Sequence, residues 1–196
     1  EATKIFREHS AVDTGNITIK QIESPRGLCP SLKPIWQQIG PSLPQHLSMY
    51  TFDWYQNWFE HYAANPPWTG GSCTLVAFLN DQPVAILPLA VRRQSKLSIL
   101  SLAGFYQPLR TWLCREADAE AAGAAITQHL LNHTRHWDIC RLTPVDDGPP
   151  ERQAFEKGLR KYASPLVETP LGRTIVHTVK PSIEQYQTSK TIKRIQ

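Results

Sequence analysis

Three histidines, His129, His133 and His136, stand in an H-x-x-x-H-x-x-H pattern. A spacing of four puts the first two on one face of a helix, where two imidazoles can share a metal ion. The zinc-protease form of this pattern needs glutamate after the first histidine, and Leu130 stands there. Two ligands also leave a tetrahedral shell half filled. His133 shares a stripe with Leu130 and Trp137, so a core or edge histidine is the plainer expectation, and no metal is expected. Cys29, Cys73, Cys114 and Cys140 are far apart in the chain and have neither zinc nor thioredoxin spacing. The last three fall in strand-like segments, which predicts buried, inert thiols. No G-x-S-x-G elbow occurs, which argues against a hydrolase nucleophile. Tyr106 and Gln107 lie on a loop bounded by Gly104 and Pro108. Such a loop can carry binding groups or simply be solvated. Lys190, Lys193 and Arg194 read either as a solvated helix face or as an anion clamp, the Arg fork suiting a phosphate or carboxylate.

The elements that must position these groups belong to a globular chain. It has 196 residues, 41% hydrophobic and 19% charged, enough for one core without disulfide staples. The net charge of +4 is mild. It permits an anionic ligand without demanding nucleic acid, which needs a clustered basic face. The longest apolar run, Val84 to Val91, is interrupted by Pro88 and is too short to span a membrane. The start has no signal-peptide core. A cytoplasmic protein with reduced thiols is the expectation.

Asn16 to Glu23 alternates isoleucines with polar residues and predicts a strand. Pro30 to Gln38 predicts a short helix ended by Gly40-Pro41. Thr51 to Tyr62 predicts a longer one, capped by Thr51, with Trp54, Phe59 and Tyr62 expected in the core. Asn65-Pro66-Pro67 and Gly70-Gly71 break the chain. Cys73 to Leu79, a turn at Asn80-Asp81-Gln82, and Val84 to Val91 predict a hairpin. Arg92 to Lys96 reads as a polar turn, and Leu97 to Leu102 as the third strand of the meander. Pro88 cannot donate to a ladder and marks a bulge or an edge. Leu109 to Cys114 predicts a short strand, and Ala117 to Trp137 an alanine-rich helix. Asp138 to Leu142 predicts a strand. A helix with Phe155, Leu159 and Tyr162 on one stripe follows Pro149-Pro150. Leu166 to Val167 and Thr174 to Val179 predict closing strands. Ser182 and Gln185 form a capping box. The helix they open runs to Gln196 with no stop signal, and residue 1 is Glu, so the chain reads as a fragment cut within a helix. The predicted class is mixed α/β, a mostly antiparallel sheet with helices on both faces.

This order resembles the GNAT acyltransferase fold. Met49 to Trp58 (MYTFDWYQNW) looks like the opening helix of the CelD-like, FemAB-related acetyltransferases, and Val84 to Leu89 (VAILPL) resembles their G-x-x-P-L strand. Val84-Ala85 departs from the usual glycine there. Leu102 to Pro108, Trp137 to Leu142, and Ser182 to Tyr186 with Lys190, Lys193 and Arg194 are similar to later family segments. The likeness runs from about residue 16 to the end.

The resemblance implies two GNAT-like halves in tandem, the second holding acyl-CoA. Residues 1–15 would then be an extension, 16–180 the first half, and 181–196 the start of the helix opening a second half. It implies that Asn57 and Trp58 line an acceptor groove, with Lys190 and Arg194 clamping an anion at the junction. A CoA pyrophosphate needs a Gly-rich turn at a helix N-terminus. The matching turn here, Arg115 to Glu120, has no glycine and three carboxylates, which repel an anion. Gly123 lies too deep in the helix to help. The fragment alone is therefore expected to bind no cofactor and to be inactive. The intact enzyme is expected to use acetyl-CoA or another acyl-CoA and to acylate an amine or hydroxyl of a small-molecule or glycan-precursor acceptor for the cell envelope. The alternative is a non-catalytic GNAT-like binding module.

Overall fold

The computed structural model describes residues 16–43, 50–104, 112–132, 137–142 and 150–162. Its strands are β1 (Ile17–Ser24), β2 (Trp68–Leu79), β3 (Gln82–Gln94), β4 (Leu97–Leu102), β5 (Leu113–Cys114) and β6 (Ile139–Arg141). Its helices are α1 (Leu32–Ile39), α2 (Phe52–Trp58), α3 (Ala119–Asn132) and α4 (Pro150–Tyr162). The sheet runs β1-β2-β3-β4-β6, with β5 also on β3. β1 to β4 pair antiparallel, and β6 joins β4 in parallel through the α3 crossover. This is the mixed, mostly antiparallel sheet expected from the sequence.

Alternation along the strands sends neighbouring residues to opposite faces. Cys73, Leu75 and Ala77 join Ala85, Leu87 and Leu89 under α3 and α4. Val76, Phe78, Ile86 and Ala90 meet α1 and α2. Helices thus cover both faces. The β2–β3 turn has Asn80 and Asp81 at φ 49° and 61°, the left-handed pair that suits strand twist in a two-residue hairpin.

Pro88 lies where β3 changes partner. Leu89 pairs with Leu102 of β4, and Ile86 pairs with Leu113 of β5. Only Leu87 and Pro88 separate these contacts on β3, against residues 103–112 on the other side. Ala103 donates to the Pro88 carbonyl at 2.9 Å, and Pro88 has no N–H to return the bond. The expected bulge or edge is this change of partner.

Several boundaries differ from the sequence reading. β2 begins at Trp68, because Gly70-Gly71 is absorbed in an irregular stretch of ladder rather than ending it. Arg92 belongs to β3, and the turn is Ser95-Lys96. The aromatic helix becomes a π-helical turn at Phe59–Ala63. It buries Tyr55, Trp58 and Phe59, but leaves Trp54 half-buried and Tyr62 49% exposed. Trp137 is outside α3. The α3 helix is buried on nearly every side, not along one stripe, because α4 packs against it in addition to the sheet. At that crossing a Cβ on Gly123 would lie 2.3 Å from the Phe155 carbonyl oxygen, and one on Gly158 would lie 2.1 Å from that of Glu120. Only glycine allows the two backbones this close.

Candidate functional site

The entry to α3 follows directly from β5, whose end is fixed by the Arg115 N–H donating to the Val84 carbonyl at 3.0 Å. A 3-10 turn, Glu116–Asp118, leads into the helix. Two amides here are already engaged: Asp118 N–H donates to the Arg115 carbonyl at 3.2 Å, and Ala119 N–H to that of Glu116. The Arg115 guanidinium, the local cation, is bound to Asp118 at 2.7 Å. Lys157 of α4 pairs with Glu120 at 2.8 Å. Glu116 and Glu120 are exposed. This end of the helix presents three carboxylates beside two engaged amides, a poor fit for the pyrophosphate of an acyl-CoA. Gly123 has a packing role against α4.

β4 and β6 are parallel neighbours, paired from Ile99↔Ile139 to Ser101↔Arg141. Asp138 opens β6 by donating its N–H to the Ser98 carbonyl at 2.8 Å, and its carboxylate accepts from Ser98 N–H at 2.7 Å. A crevice beyond the carboxyl ends of parallel strands is where open α/β sheets hold ligands. Tyr106 and Gln107, and also Lys190, Lys193 and Arg194, lie outside the described residues.

Asn57 and Trp58 diverge. Asn57 is exposed on α2, and Trp58 is 4% exposed in the core. The Trp58 ring meets Trp68 edge-on at 5.5 Å and 81°. Trp68 in turn walls a cavity of about 410 Å³ with His61, Tyr62, Asn65, Pro66, Pro67 and Arg92. No local pattern marks Trp68 and Arg92 as a pair. The hint lay in a tryptophan placed directly after Asn65-Pro66-Pro67, but pairing it with Arg92 requires the β2–β3 register.

His129 is fully buried, and its Nε2 lies 2.9 Å from Gln21 Oε1 of β1. Gln21 Nε2 donates to Glu23 at 2.6 Å. This network ties α3 to the sheet. His133 and His136 lie outside the described residues, and no group of three metal-ligating side chains occurs among the described ones. Cys73 and Cys114 are buried, whereas Cys140 is partly exposed. Burial first, then the Glu23 charge, pushes the Cys73 thiol far above its ordinary range. Such a thiol stays protonated and is a poor nucleophile. No described helix is long and apolar enough to cross a membrane.

The meander, the parallel β4–β6 pair and the two helix layers are the arrangement expected of a GNAT-like fold. No family model matches the sequence, and no curated protein is similar to it in sequence. Solved structures do show similarity. A ribosomal-protein-alanine N-acetyltransferase from Brucella melitensis biovar Abortus 2308 aligns at TM-score 0.46 and 12% identity, over 83% of this chain and 99% of its own. An aminoglycoside acetyltransferase from an uncultured soil metagenomic sample, solved with sisomicin, aligns at 0.46 and 12%, over 84% and 97%. A transcriptional regulator from Bacillus halodurans C-125 aligns at 0.43 and 12%, over 80% and 99%.

Proposed function

We propose that this chain is the acceptor-shaping half of a GNAT-type acyltransferase of the CelD-like, FemAB-related kind. The enzyme moves an acyl group from acyl-CoA to an amine or hydroxyl of a sugar or cell-envelope precursor. The observation that carries the reading is the β4–α3–β6 unit, a parallel strand pair with its crossover helix, since ligands of such sheets sit beyond the strands' carboxyl ends. The engaged, carboxylate-rich entry to α3 supports a division of labour, in which a second GNAT half of the same chain holds the acyl-CoA. Asn57 on α2, the loop with Tyr106 and Gln107, and Lys190 and Arg194 then belong to the acceptor side, whereas Trp58, buried in the core, does not reach it.

The same α3 entry also favours a second reading, a GNAT-like module that binds without catalysis. Acyl-CoA turnover separates the two. The full-length protein is expected to release free CoA from acetyl-CoA in the presence of an amino sugar, and residues 1–196 alone to give no calorimetric heat at about 1 mM CoA. A micromolar dissociation constant for the isolated chain overturns the division of labour. An inert full-length protein leaves the binding module as the correct reading.

A further inference from the structure

The geometry points to the cavity bounded by His61, Tyr62, Asn65, Trp68 and Arg92 as a binding site for a small anion carried on a flat ring, with Arg92 as its anchor. This inference goes beyond the acyl-transfer reading, and the site is remote from the α3 entry. Arg92 stands eight residues along β3 from Val84, which receives the Arg115 amide, and an extended strand covers roughly 25 Å in that interval.

Three observations converge. The first concerns charge. Arg92 Nε is buried and has no hydrogen-bond partner, and among the described residues no carboxylate lines the cavity to neutralise it. Leaving a guanidinium N–H buried and unpaired is costly, and a turn of the Arg92 side chain onto an oxyanion in the cavity relieves that cost. The planar guanidinium fork suits a carboxylate or phosphate.

The second observation is shape. The remaining walls are an imidazole, a phenol, an indole, two prolines and the Asn65 amide. Mostly flat, apolar walls with a few convergent polar groups are the usual make-up of a small-molecule pocket, and about 410 Å³ falls in the range of roughly 300–1,000 Å³ such pockets occupy. The face of a ring, aromatic or sugar, can lie against Tyr62 and Trp68 while its anionic substituent meets Arg92.

The third observation is rigidity. The rim is held by its own hydrogen bonds: Asn65 N–H to the Tyr62 carbonyl at 3.3 Å, Asn65 Nδ2 to that of His61 at 3.3 Å, and Trp68 N–H to that of Asn65 at 3.1 Å. Arg93 N–H donates to the Pro67 carbonyl at 3.1 Å, fastening the rim to β3. Trp58 backs Trp68 from the core. A wall already fixed loses little entropy on binding.

The test is titration of the purified, nitrogen-15-labelled protein with benzoate, glucuronate, benzamide and inorganic phosphate, reading the Arg92 Nε–H and Trp68 indole signals by NMR. Benzoate or glucuronate is expected to shift both signals, and whichever binds more tightly identifies the ring as aromatic or sugar. Benzamide, which lacks the charge, and phosphate, which lacks the ring, are each expected to bind at least tenfold more weakly. R92M is expected to abolish the response, R92K to weaken it about tenfold because the fork is lost, and Y62A to weaken it several-fold. Tyr62 is 49% exposed, so Y62A keeps the test readable if R92M fails to fold. The proposal is overturned if neither ring-bearing anion shifts the signals by about 10 mM, if benzamide matches benzoate, if phosphate alone matches both ring-bearing anions, or if neither R92K nor Y62A changes affinity.

Discussion

The two faces of the sheet are closed by different means. Beneath α3 and α4 the packing is close: around one stacked ring pair, Trp112 and Phe155 at 4.4 Å, small residues Ala119, Ala122, Ala125 and the Gly123–Gly158 crossing bring backbone against backbone. Beneath α1 and α2 it is built from rings. Trp36, Phe52 and Tyr55 pack together, Trp54 sits edge-on to Tyr50 and Tyr55, and Trp58 meets Phe59 and Trp68. Small residues fill space by bringing helices together, and little room remains. Large rings fill space by their own bulk and leave gaps where they end, as at the cavity beside Trp68. The α3 side therefore serves as the rigid support of the fold, and the α2 side is where a ligand finds room.

The largest expected effect breaks this contrast at its tightest point. Gly158→Ala places a methyl group 2.1 Å from the Glu120 carbonyl oxygen and 2.7 Å from the Ala124 nitrogen. Both are backbone atoms that no rotamer change can move. Denaturant unfolding should show a loss of about 3 kcal/mol or more, at the upper end for overpacked sites, even though alanine is the better helix former. A change under about 1 kcal/mol would mean the helices cross less tightly than described.

Alkaline titration sharpens the contrast. Burial raises the Cys73 thiol on the α3 side from its ordinary 9.0, and the Tyr50 and Tyr55 phenols on the ring side from 10.0. Each is an acid that the fold holds in its neutral form. The unfolded chain gives up these protons first, so their contribution is complete below the ordinary value and falls as pH rises above it. Cys140, which burial pushes up to about 12, acts in the same range. Stability should start to drop near pH 9 through the two thiols, by up to about 1.4 kcal/mol per pH unit for each, and more steeply above pH 10 as the phenols join. C73A should weaken the first phase, and C73A with C140A should remove it and leave the second. A single onset at pH 10 in the parent protein would assign the effect to the ring side alone.

The smallest effect belongs to the rings. Phe59→Leu keeps an apolar side chain of similar size, and a cost of about 1 kcal/mol is expected because neighbouring rings can shift into the space. A loss as large as that of Gly158→Ala would abolish the distinction between the two faces.

The meander and its turn were legible in the sequence because they rest on local signals. β1 alternates isoleucines, Asn80-Asp81 supplies left-handed turn residues, and Pro88 removes a ladder donor. The helix layers followed from the order of elements. The Gly123–Gly158 crossing was not legible, since it depends on which turn of one helix meets which turn of another. Gly70-Gly71 resembled a break because a strand irregularity and a loop use the same residues. The cavity was hidden for a similar reason: Trp68 and Arg92 are brought together only by a register with shifted pairs near its start. Of the expected acceptor residues, Asn57 and Trp58 could be placed, the one outward and the other in the core.

Strand β3 holds β4 and β5 on the same edge, with only Leu87 and Pro88 between the two attachments. The sheet consequently constrains residues 103–112 at their two ends and is indifferent to how many residues lie between. Doubling the length of a flexible connection costs only about 0.6 kcal/mol in closure entropy. Between two buried anchors, Ala103 and Trp112, the number of residues can change while every strand keeps its partner, so the architecture provides a socket in which specificity can be rewritten without refolding the frame.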